Sequence, residues 1–156
     1  MKTAPLFMFI CLLGIMPAAT SAPYFPSVGG AEVTDQKTGL VWRRCAEGMT
    51  WDGINTCTGT PSIFTHEAAL QRAMAQANSS GVTWRLPNVK ELASITDKSV
   101  SSPAIDSTAF PATPTGIFWS SSPFVSVTGY ASVADFNAGG VGGTPRNSSY
   151  LVRLVR

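Results

Sequence analysis

Trp84-Arg85-Leu86-Pro87-Asn88-Val89-Lys90-Glu91-Leu92 is the stretch on which the fold turns. Pro87 disfavours the helical basin for the residue before it, so Val82–Leu86 runs extended. Asn88 is a good helix N-cap, and Glu91 follows three residues later at capping-box spacing. The stretch therefore predicts an extended approach, a corner and a short helix over Val89–Thr96. Val89, Leu92 and Ala93 give that helix one buried face.

Upstream, Thr65–Ala77 predicts a longer helix. Thr65 caps its start, Gly81 follows its end, and Ala69, Leu70, Ala73, Met74 and Ala77 fall on one stripe. His66 sits in its first turn, where an exposed or locally bonded imidazole is expected. Earlier still, Ala31–Asp35 and Leu40–Trp42 read as two strands joined by a turn at Asp35–Gly39, a hairpin. Arg43–Ser62 reads as an irregular loop. Downstream, Asp97–Thr115 is a meander rich in Ser, Thr, Pro and Ala. Ile117–Ser120, Tyr130–Phe136 and Tyr150–Arg156 read as strands, and the glycine-rich Asn137–Arg146 as a flexible turn. Helices early and paired strands late define an α+β domain. No internal repeat is visible.

The ends and the composition bound the setting. Lys2, an apolar run over Leu6–Met16 and the small residues up to Ala22 are the parts of a secretory signal. The run is too short for a membrane span, which takes about 20 residues. Ala19 and Pro23 place the cut after Ser21, so residues 1–21 are expected to leave. Residues 22–30 form a lead-in and 31–156 a single domain. The mature chain is expected to be secreted, periplasmic or on the cell surface, with no membrane span. The chain has 11 basic and 9 acidic residues. That balance gives no electrostatic footprint for nucleic acid.

Of three cysteines, Cys11 lies inside the signal. Outside the cytoplasm the remaining pair, Cys45 and Cys57, is expected to form a disulfide, stabilising by about 3 kcal/mol. Two cysteines and a lone His66 are too few soft ligands for a metal site. Oxidation also removes the thiolate that nucleophilic chemistry requires.

Four blocks, in order, resemble one known family. They are Thr34-Asp35-Gln36-Lys37-Thr38-Gly39-Leu40-Val41-Trp42, the Trp84–Leu92 stretch, Trp119-Ser120-Ser121, and Val152-Arg153-Leu154-Val155-Arg156. The chain from about Val33 to Arg156 is similar to the Lcl C-terminal domain family, also called DUF1566, of bacterial exported proteins. The Trp84–Leu92 block is the most specific of the four. The resemblance implies a C-type lectin-like fold: two helices flanking a mostly antiparallel sheet, long loops on one side, and paired N- and C-terminal strands. It implies a binding or adhesion role, with some relatives thought to bind sulfated glycans.

The shared residues Trp42, Trp84, Arg85, Pro87, Glu91, Trp119 and Arg153 are expected to build the fold rather than the site. The tryptophans supply large apolar surfaces. Arg85, between Trp84 and Leu86, is expected to be partly buried and to need a carboxylate, Glu91 or Asp97. The lectin calcium pattern is not matched. Leu86-Pro87-Asn88 lacks the first oxygen ligand, and Asp135-Phe136-Asn137 is only a faint echo of the second. Calcium takes six to eight oxygens and the sequence shows no such cluster, so no cofactor is expected, with calcium kept as an unsupported alternative.

The function expected is a non-enzymatic module that binds a glycan or a protein. Ligand would meet the loops after Trp119, with Tyr130, Asn137, Arg146 and Asn147 as polar contacts. Arg146 suits an anionic group. One alternative is a structural subunit of a surface assembly. Another is an enzyme related to formylglycine-generating oxidases, which use two cysteines late in the chain; here none follows Cys57.

Overall fold

A computed structural model describes residues 23–156; the expected signal, residues 1–21, lies outside the described residues. The domain is α+β, with two helices and three antiparallel sheets.

The first sheet joins β1 (Tyr24–Pro26), β2 (Glu32–Asp35) and β3 (Val41–Arg43) in that order. Along β2, buried Val33 and Asp35 alternate with half-buried Glu32 and Thr34, as period-two side chains must. Asp35 also makes the β2–β3 turn. Its carboxylate accepts the Lys37 N–H at 2.9 Å and the Thr38 hydroxyl at 2.6 Å, and Gly39 takes φ +74°.

The loop expected to be irregular after β3 holds a small hairpin, β4 (Thr50–Trp51) paired with β5 (Cys57–Thr58). Asp52 Oδ1 collects the N–H groups of Ile54, Asn55 and Thr56 at 2.8–3.1 Å and so folds the tip. Those backbone bonds also lower the Asp52 pKa. Cys45 and Cys57 form a disulfide across this segment, with Cα atoms 5.5 Å apart.

Helix α1 spans His66–Ser80, three residues beyond the expected end. Thr65 accepts the Ala68 N–H, and Gly81, at φ 69°, returns its N–H to Ala77. Its buried face is His66, Ala69 and Ala73, while Leu70 and Met74 are 40% and 65% exposed. The expected stripe is thus rotated. The helix presents its small residues to the core and its large apolar ones to solvent. Helix α2 spans Val89–Ser94, ends two residues early, and has the capping box the sequence predicts. Leu92 is fully buried.

The last sheet has the order β6 (Ile117–Pro123), β7 (Tyr130–Asp135), β8 (Gly140–Pro145). β8 corrects an expectation, because the glycine-rich segment is a strand rather than a flexible turn. It pairs with β7 at six consecutive positions, from Tyr130↔Pro145 to Asp135↔Gly140. Packing overrides the poor strand propensity of glycine. The Phe124 ring packs against Gly143 so closely that a Cβ there would overlap it.

Residues 150–156 correct another. They form no continuous strand but a chain of bridges: Tyr150 to Phe64, Leu151 to Phe118, and Val155 to both Trp42 and Arg85. The segment passes among several elements, so no single ladder claims it. It still couples the two ends of the domain. Val41 and Arg156 exchange N–H···O bonds of 2.9 Å, and Arg43 N–H donates to Leu154 O at 3.0 Å. Leu151–Val155 are all buried, including Arg153 at 0% exposure.

Around this segment lie two core clusters. Trp42, Leu92, Phe110, Phe118 and Val155 belong to one, and Ala69, Trp84, Leu86, Trp119 and Leu154 to the other. Pro87 is buried between the extended approach and α2.

Arg85 takes one of its two expected partners, Glu91, but is more exposed than expected. Trp84 and Leu86 point inward at 3% and 2% exposure, so period-two alternation sends Arg85 outward. Its side chain is 46% exposed and grips Glu91 with two bonds of 2.8 Å. Asp97 is occupied by Ser99 instead.

Candidate functional site

The start of α1 and the end of β8 meet at an open cleft of about 550 Å³, lined by Thr65, His66, Glu67, Leu70, Arg146 and Asn147. Backbone bonds assemble it. His66 N–H donates to Arg146 O at 3.0 Å, and Arg146 N–H donates to Gly129 O at 3.0 Å. The β7–β8 register sets Tyr130 opposite Pro145, so Arg146 Nε reaches the Tyr130 carbonyl at 3.2 Å. Among the described residues that is the only hydrogen bond made by the guanidinium, which leaves its Nη atoms without a protein acceptor.

Of the expected contacts, Arg146 and Asn147 line the cleft, while Tyr130 and Asn137 do not. Asn137 lies past the other end of β7, about 20 Å away along a six-residue strand. There its N–H bonds Asp135 and its Oδ1 accepts the Ser102 hydroxyl at 2.9 Å. Tyr130 contributes its carbonyl.

His66 is neither exposed nor locally bonded. It is 4% exposed, its Nε2 lies 3.0 Å from the carbonyl of Ser120, and its ring stands edge-on to Trp119 at 5.2 Å. Facing a carbonyl, Nε2 carries the proton of the neutral ring. Desolvation lowers its pKa, and the positive charge of Arg146 adds to this against the opposing bond to Ser120. The cleft floor is therefore an uncharged imidazole near neutral pH. The spacing of His66 to Ala69 and Ala73 was the available signal for its burial.

A groove of about 570 Å³ lies between the disulfide loop and α1. None of the expected ligand contacts lines it. Glu32, Arg43, Glu47, Trp51 and Arg72 do so. Glu47 is 4% exposed and binds Arg72 Nε at 2.7 Å. Arg44 stacks over Trp51 at 4.3 Å and is itself held by the carbonyls of Gly30, Thr108 and Ala109.

Among the described residues no group of three or more His, Cys, Asp or Glu is placed to hold a metal ion. No described helix is long and apolar enough to cross a membrane.

The fold and the cleft and groove described define a small α+β domain whose open surfaces are built by loops, strand residues and one helix. The model of the Lcl C-terminal domain family matches residues 31–156, and the chain belongs to that family. No curated protein and no solved structure matches it.

Proposed function

We propose that this chain is an exported, non-enzymatic binding or adhesion module that meets a glycan or protein ligand at the α1–β8 cleft. The convergence of Arg146 and Asn147 with the first turn of α1 carries this reading. Arg146 is pinned by Nε alone and keeps donors for an anionic or polar group. His66, turned to a carbonyl, shapes the floor rather than activating a nucleophile. A C-type lectin-like arrangement fits a domain whose C-terminal segment pairs with its N-terminal sheet. The test is a glycan array and a pull-down with residues 22–156, repeated with Arg146→Ala and Asn147→Ala. Binding that both substitutions weaken supports the proposal; no binding to any glycan or protein sinks it.

A second reading, a subunit of a surface assembly, is favoured by the exposed Leu70 and Met74 on α1, the first of which lines the cleft. Such a subunit would show a mass above the monomer in light scattering, and Met74→Lys would return it to the monomer.

A further inference from the structure

The groove between the disulfide loop and α1 has a donor surplus that the fold does not consume. Glu47 is held at both backbone ends, its N–H donating to Val152 O at 2.9 Å and its C=O accepting the Ser62 N–H at 2.8 Å. This fixed, buried carboxylate takes Arg72 through Nε alone at 2.7 Å. The two Nη atoms of Arg72 have no protein acceptor among the described residues, and the side chain is 40% exposed.

Arg43 enters the same groove from β3. Among the described residues it has no carboxylate within ion-pair distance. Its guanidinium lies 4.9 Å from the Trp84 ring centroid. Beyond that cation–π contact, its N–H groups have no side-chain hydrogen bond among the described residues. The other carboxylate on the groove, Glu32, is taken by Arg156 at 2.8 Å. Two guanidinium groups thus face one groove whose carboxylates are both committed, and Arg43 is the cation left over.

Trp51 forms a fixed wall. Arg44 covers its ring and is immobilised by three carbonyls, and the Trp51 Nε1 has no partner. A donor-rich, cationic concavity with a rigid aromatic wall is suited to an oxyanion.

We propose that this groove binds an oxyanion group, the chemistry shared by free sulfate and by a ligand-borne carboxylate, through Arg43 and Arg72. Glu47 acts as the positioning residue that aims Arg72. This site is separate from the α1–β8 cleft, and each can fail without the other.

The experiment follows the arginine Nε–Hε signals by NMR while residues 22–156 are titrated at constant ionic strength. The probes are sodium sulfate, sodium acetate and sodium benzoate, with sodium chloride as the reference. Saturable shifts of Arg43 and Arg72, about tenfold weaker binding in Arg43→Gln and no loss in Arg146→Gln are expected. A response to sulfate and acetate alike identifies a site for the free group. A response to benzoate alone identifies a ligand-borne carboxylate that also uses Trp51. Arg72→Gln strands the buried Glu47 and can unfold the chain, so Arg43→Gln, which leaves no buried partner, carries the decision. Shifts that do not saturate with any probe, or unchanged binding in a folded Arg43→Gln protein, overturn the proposal.

Discussion

The corner at Trp84–Leu92 and the closing segment at Leu151–Val155 each carry an arginine in a shared family block, and the two are held in opposite ways. Arg85 lies on the surface and grips a carboxylate. Arg153 is fully buried and, among the described residues, pairs with no carboxylate. Its Nη1 donates to the carbonyls of Arg43 and Arg44, its Nη2 to the Thr113 hydroxyl at 2.7 Å, and its face lies 4.9 Å from the Phe110 ring centroid. Burial pushes the Arg153 pKa down to about 9. An ion pair in water contributes about 0–1 kcal/mol. A buried cation that satisfies carbonyls on distant segments is worth more when deleted than any surface pair, because its acceptors are left without donors. The same residue type thus serves a local corner in one place and a global junction in the other.

That contrast can be broken by substitution, and the largest effect is expected at Arg153. Arg153→Ala leaves a cavity and three unsatisfied acceptors and should cost at least about 3 kcal/mol in a urea melt. Arg153→Met, which refills the volume, should cost less than Arg153→Ala; equal losses would show that the hydrogen bonds alone matter. At the corner, Asn88→Ala removes the cap of α2 and should cost about 1 kcal/mol. Arg85→Ala should cost about 0.5 kcal/mol, the scale of an exposed pair; a loss equal to that of Arg153→Ala would erase the distinction.

The smallest effect is one of pH. Arg85, and then the Asn88 N–H, hold the Glu91 carboxyl below its ordinary value of 4.5. The folded pKa is depressed, so this stabilisation is complete above 4.5 and is lost as pH falls through the folded value. Acid unfolding curves of wild type and Arg85→Ala should converge below that window, and curves that stay parallel would break the linkage.

The same two regions explain what the sequence makes legible. The corner is written in signals three residues long: a proline, a cap and a glutamate at fixed spacing, all of which the fold realises. The orientation of Arg85 is written there too, in the alternation of Trp84 and Leu86, and was outweighed by its flanking apolar neighbours. The closing segment is not local. Its bridges depend on Phe64, Trp42, Arg85 and Phe118, none within thirty residues of it. β8 is hidden because glycine argues for a turn until Phe124 is seen to need its bare backbone. Arg146 and Asn147 could be named as polar contacts, whereas their meeting with α1 depends on the register of β7 and β8. The Arg43–Arg72 groove was illegible because its two arginines come from different elements and its carboxylates from a loop and a strand.

The bond from Arg153 to Arg43 spans 110 positions of chain. Loops of that length close late and set the pace of folding. The first sheet, α1 and β6 all lean on residues 150–156. A ribosome delivers that segment after every element it joins, so until then both core clusters lack the residues of 150–156 that belong to them. The junction predicts that folding is completed only once residues 150–156 are in place. A chain cut short before Leu151 should be recognised as unfolded and degraded, with no smaller folded piece surviving.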